Sequence, residues 1–109
     1  MIDVTIYKTN DTITGFIAEG HSDYAEEGFD IVCASVSILC YTALNSLNMV
    51  AEINSEHILY KSDKNTGLMS VKTLKNNEKT HIIYKVFAVG IEMLTEDYSE
   101  YITLKFEEV

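Results

Sequence analysis

The chain has no proline and no arginine, and only two cysteines and five glycines among its 109 residues. Without proline, every break between elements must come from glycine, asparagine or aspartate. Without arginine, and with a formal charge of −9, it lacks the basic face that nucleic acids require, so no direct nucleic-acid partner is expected. An acidic surface serves solubility and can also attract a basic partner. The two cysteines do not make a disulfide framework. Cys33 and Cys40 fall on one expected helix, where seven residues separate α-carbons by about 10 Å, beyond the reach of about 7 Å that a disulfide allows. Two free thiols fit a reducing, cytoplasmic setting. The first residues show no basic segment followed by an apolar run, so no signal peptide is expected. His57 and His81 have no metal-ligand spacing and are expected in solvent, so no metal site is expected.

One long uncharged run is present. Residues 31–51 carry no charge over 21 positions, enough to cross a bilayer. The run nevertheless contains Ser35, Ser37, Thr42, Asn45, Ser46 and Asn48, and it is flanked by Asp30 and Glu52 rather than by lysine. It reads as a helix buried in a protein, with no membrane partner.

Residues 2–8 alternate Ile2, Val4 and Ile6 against Asp3, Thr5 and Tyr7, the period of a half-buried strand. A turn at Thr9-Asn10-Asp11 leads to a second strand over 12–19. Residues 22–30 hold Gly28 and four carboxylates and read as a loop. A helix capped by Asp30 is expected to run to about 53, with Val32, Val36, Leu39, Ala43, Leu47 and Val50 on its core stripe. Ile38 and Met49 lie well off that stripe and need cover from a second helix or a second subunit. A hairpin over 57–62 and 68–74 turns at residues 63–67. A second helix over 79–97 would use Ile82, Ile83, Val86, Phe87, Val89, Met93 and Leu94 as its apolar face, and a last strand follows at 101–106. The order ββαββαβ predicts a single α+β domain over 1–109, with a largely antiparallel sheet and two helices.

The chemistry concentrates between Gly20 and Ser37, in GHSDYAEEGFDIVCASVS. With Asp30 as N-cap, Cys33 is the third helical residue, where the helix dipole favours a thiolate. If His21 folds back beside it, the two make a nucleophile and a proton carrier, as a cysteine hydrolase needs. Backbone N–H groups at the helix end are candidates for holding an oxyanion. Ser37 sits one turn after Cys33 on the same side. Asp30 can orient His21, cap the helix, or do both. Gly20 allows another backbone to approach closely. Asp23, Glu26, Glu27 and Asp30 oppose a thiolate unless they stay in solvent; a loop bearing them would suit a cationic substrate and can act as a lid. A cysteine at an apolar helix start is also a common core residue, and Cys40 reads as one.

This stretch resembles the signature of the ribosomal-processing cysteine proteases, the Prp family, whose pattern is GHA-x-Y-x-x-x-G-x-DIVCAAVS. The departures are Ser22 and Ser35, each where alanine is usual. The resemblance extends over the element order and the length. It implies a cysteine endopeptidase that removes a short N-terminal extension, ending in an aromatic pair, from large-subunit ribosomal protein twenty-seven. It implies His21 and Cys33 as catalytic residues and Gly20, Asp30 and Ser37 as substrate-binding ones. It further implies a homodimer, a mobile loop between histidine and cysteine, and no metal or organic cofactor. Two other classes remain open on the residues alone: a peptide-binding module without turnover, and an amidase or thioesterase for small molecules.

Overall fold

The computed structural model describes residues 1–26 and 30–109. Glu27 and Gly28 of the expected acidic loop, with Phe29, lie outside the described residues. The elements are β1 (Ile2–Thr9), β2 (Thr12–Gly20), α1 (Ile31–Met49), a single 3-10 turn (Ser55–His57), β3 (Ile58–Asp63), β4 (Leu68–Thr73), α2 (Glu78–Asp97) and β5 (Ile102–Glu108). This is the ββαββαβ order, and the five strands form one sheet in the order β3-β4-β2-β1-β5. All pairs are antiparallel except β1 with β5.

The period-two pattern of β1 sorts its residues as expected. Ile2, Val4 and Ile6 point into the core with Phe16, Ala18, Met69, Val71 and Ile102. On the opposite face Asp3 stands between Glu19 and Thr103, and the Thr103 hydroxyl donates to Asp3 Oδ1 at 2.7 Å. Both helices pack on the apolar face. Residues Val32, Val36, Cys40, Ala43 and Leu47 of α1 are buried there, so the uncharged run is a core helix, although its 19 residues meet the length and hydropathy of a membrane span.

Two expectations about the helices need correction. First, α1 ends at Met49 rather than near residue 53. Glu52 adopts a left-handed φ of 58°, and Ile53 turns back to donate its N–H to Leu47 O at 3.0 Å. Burial of Ala51 and Ile53 holds that reversal, leaving Val50 exposed instead of on the core stripe, while Cys40 takes a core position. Second, α2 turns a different side to the sheet. Its buried residues are Thr80, Tyr84, Phe87, Ala88 and Ile91, while Ile82, Val86, Val89 and Met93 stand outside. The inward side was hidden by its polar atoms, which find partners inside. The Tyr84 hydroxyl reaches Thr73 Oγ1 at 2.9 Å and donates to Thr14 O at 3.3 Å, and Asn77 and Thr80 form a reciprocal capping box. Phe87 stacks on Phe16 with ring centres 4.1 Å apart. Gly90 lets α1 come close, since a Cβ there would lie 2.7 Å from Leu39 Cδ2.

Candidate active site

Three segments meet where β2 ends. The first is the strand end itself. Gly20 has a φ of 103°, a left-handed conformation that glycine adopts without penalty, and a Cβ there would lie 2.3 Å from Met1 O. The second is the start of α1. Asp30 is its N-cap, and Oδ1 accepts from Val32 N at 3.0 Å and Cys33 N at 2.9 Å. The third is the turn between β3 and β4. Gly20 N donates to Thr66 O at 3.0 Å, and Gly67 packs so tightly that a Cβ would lie 2.2 Å from Gly20 O and 3.2 Å from His21 Cε1.

These segments enclose a cleft of about 320 Å3 whose wall includes Gly20, His21, Cys33 and Ser37. Its floor is apolar, formed by Ile2, Ala18, Val36 and Met69, and Asp63 and Lys64 stand in its wall. Cys33 is half-buried and His21 exposed. Asp30 lies behind the thiol rather than in the wall. Its Oδ2 accepts from the Ser22 hydroxyl and from Tyr24 N at 3.2 Å, so one carboxylate ties the helix start to the loop. Burial pushes the Asp30 carboxyl up, but hydrogen bonds from Ser22, Cys33 and Ala25 outweigh it and hold the group below its ordinary value.

The Cys33 thiol is met by Ser22, whose N–H donates to Sγ at 3.4 Å and whose Oγ also lies at 3.4 Å. His21 shares the cleft but bonds elsewhere: its Nε2 lies 3.2 Å from Asn65 O. A carbonyl only accepts, so Nε2 carries the proton in the neutral ring and Nδ1 keeps the free lone pair. The contacts of Asp30 serve capping and Ser22, not the histidine. The two helix-end N–H groups of Val32 and Cys33 are taken by Asp30, so they are not free oxyanion donors while it stays in place.

Asp23 and Glu26 are exposed, which keeps these two carboxylates in solvent. Tyr24 anchors the loop: its ring meets Tyr98 and Tyr101 edge-on, with centres 5.6 and 5.1 Å away. Tyr98 and Tyr101 read from sequence as a sheet edge or interface. The residues missed outright were Asn65, Thr66 and Gly67. Their sequence signal is that of an ordinary hairpin turn, and only the pairing of β2 with β4 brings that turn to Gly20. His81, expected in solvent, accepts from Ile13 N through Nδ1 at 3.3 Å, so this histidine braces the hairpin of β1 and β2. Cys40 is buried, and burial pushes its thiol up to about 12, as suits a core residue.

Comparison with known proteins bears on the family and the fold. Residues 1–103 match the family model described as cysteine protease Prp. The chain is 29% identical over 107 residues to the ribosomal processing cysteine protease Prp of Staphylococcus aureus, covering 97% of each chain. It is 38% identical over 52 residues to the Bacillus subtilis protein of that name, covering 47% of this chain and 46% of the relative. A crystal structure of the S. aureus protease with a covalently linked product peptide superposes with a TM-score of 0.87 at 29% identity, covering 98% of this chain and 100% of that one. A Streptococcus mutans structure superposes at 0.84 and 28% identity, covering 100% of this chain and 96% of that one. A thiol at a helix start, a histidine in the same cleft and a match along nearly the whole length lead to one conclusion: this chain belongs to the Prp family of cysteine proteases.

Proposed function

We propose that the chain is a single-domain endopeptidase that removes the N-terminal extension of large-subunit ribosomal protein twenty-seven, with Cys33 as nucleophile and His21 as proton carrier. The observation that carries this reading is the placement of Cys33 Sγ and the His21 ring in the wall of one cleft. Nδ1 of His21 takes the thiol proton, while Asn65 O holds Nε2–H and so fixes the tautomer. The thiolate attacks the scissile carbonyl carbon, forming a C–S bond. His21 then gives its proton to the departing amine, and water cleaves the thioester to restore the thiol. Gly20 and Ser37 bind substrate from the cleft wall, and Asp30 acts from behind by fixing the start of α1. The apolar floor suits an apolar or aromatic residue of the substrate, and exposed Asp23, Glu26 and Asp63 suit the basic chain of a ribosomal protein. The S. aureus relative has been crystallised with a substrate peptide. A ribosomal substrate and two free thiols support a cytoplasmic location.

A homodimer is part of the same reading. Ile38 and Met49 on α1 are 63% and 76% exposed, and Val86 and Met93 on α2 are 64% and 62% exposed. Between them Leu39, Thr42, Ser46 and Ile82 line a shallow apolar groove of about 150 Å3. A face of this kind on two adjacent helices suits a second copy of itself about a two-fold axis.

The test is incubation with the extended ribosomal protein, read by mass. The wild type should release the extension and Cys33→Ala should not; cleavage by Cys33→Ala would refute the assignment. Tight binding of the extension by the wild type with no product would favour a binding module instead.

A further inference from the structure

We propose that Ser22 is a positioning residue that holds the Cys33 thiol in its protonated, resting form. The proposal rests on Cys33 being the nucleophile and adds a restraint upon it. Ser22 is 2% exposed, so its hydroxyl has to be satisfied within the protein. A serine hydroxyl has one hydrogen and two lone pairs. That hydrogen is committed to Asp30 Oδ2, because an ionised carboxylate is the stronger acceptor. One lone pair accepts from Tyr24 N at 3.3 Å, and the other is left facing Cys33 Sγ at 3.4 Å. The only favourable arrangement of that contact has the thiol as donor, S–H to Oγ. A thiolate in the same place would meet that lone pair instead. Beside the Asp30 carboxylate, which also meets the Cys33 side chain and favours the thiol, two groups of Ser22 act on the sulfur in opposite senses. The backbone N–H of Ser22, also at 3.4 Å, favours the thiolate, and the hydroxyl favours the thiol. Substitution by alanine removes the second and keeps the first, with no added volume in a buried place.

Other charged or titratable groups face the cleft from each neighbouring element. They are His21 after β2, Cys40 and Tyr41 on α1, and Asp63 and Lys64 at the end of β3 and its turn, with Asp30 behind the thiol. All keep their contacts in Ser22→Ala except Asp30, which loses the hydroxyl donated to Oδ2 but keeps Val32 N and Cys33 N on Oδ1. Alkylation by iodoacetamide, followed by peptide mass mapping at Cys33 and Cys40 separately, reads the effect without any peptide substrate. Its failure is thus distinct from a failure to find protease activity.

At pH 7, Ser22→Ala should be alkylated at Cys33 roughly two- to tenfold faster than the wild type, the range that one neutral hydrogen bond spans. The ratio should fall towards one as pH is raised to 10, because the hydroxyl acts only on the protonated thiol. Cys40, 1% exposed, should stay slow in both and reports any loosening of the fold. An unchanged or slower reaction at Cys33 would overturn the proposal. So would an acceleration that persists at pH 10, which would mean access rather than proton hold, or one shared equally by Cys40.

Discussion

Replacing Gly67 by alanine should disable the site while leaving the nucleophile in place. Two costs arise together. The residue has a φ of 67°, where an alanine is strained by about 1–2 kcal/mol. The new Cβ would also lie 2.2 Å from Gly20 O, against an ordinary contact of 3.4 Å. The turn must back away by about 1.2 Å, and with it go Thr66 O, which receives Gly20 N, and Asn65 O, which receives His21 Nε2. A displacement of roughly 1 Å at a reacting group is enough to cost on the order of 100-fold in rate. Cys33 stands on α1 and makes its own contacts with Ser22 and Asp30, so it should not move. The assay pairs cleavage of the extended ribosomal protein with iodoacetamide labelling of Cys33, and denaturant melts exclude unfolding. Gly67→Ala should lose about 100-fold in cleavage while labelling stays within a fewfold of wild type. Cleavage at the wild-type rate in a folded variant would refute the claim that this turn positions the histidine.

Asp30→Ala should destabilise the protein by about 1 kcal/mol at neutral pH, the usual worth of an N-cap. Because the carboxyl is held below its ordinary value of 3.8, that difference is fully present above pH 4 and is lost as pH falls through the lowered value; a gap that grew in acid would contradict it. Cys40 runs the other way. Its thiol is pushed from 9.0 to about 12, so its contribution is intact below pH 9 and is lost as pH rises towards 12. The displacement amounts to on the order of 4 kcal/mol in full. Between pH 8 and pH 11 the wild type should lose about 2–3 kcal/mol more than Cys40→Ala in denaturant unfolding, and equal losses would dismiss the buried thiol as the cause. Val86→Glu should convert a dimer to monomer in light scattering after size exclusion while cleavage chemistry at Cys33 survives in labelling; an unchanged mass would place the interface elsewhere.

How far the sequence reached follows from what each signal depends on. The strands of β1 and β2 were legible because their partners are local and their faces differ in polarity. The start of α1 was legible because Asp30 is a strong cap followed by an uncharged run. The sheet-facing side of α2 was not, because Tyr84 and Thr80 look polar until Thr73 and Thr14 are beside them. The exposed Ile82, Val86, Val89 and Met93 of α2 then looked like the core. In the site, Cys33 was placed by its helix and His21 by its motif. The approach of Asn65, Thr66 and Gly67 to Gly20 and His21 depends on a pairing between residues some fifty positions apart, which no local pattern encodes.

The parallel partnership of β1 with β5 bears on when the enzyme can exist at all. Ile2 pairs with Ile102, so β1 waits for a partner made about 100 residues later. Non-local closure of this kind is slow, in the range of milliseconds to seconds. Until β5 docks, β1 is an edge strand and the core beneath α2 lacks Ile102. His21 and Cys33 therefore precede, by about 70 to 80 residues, the strand that closes the sheet supporting them. The framework around the cleft is whole only once β5 has been made and docked on β1.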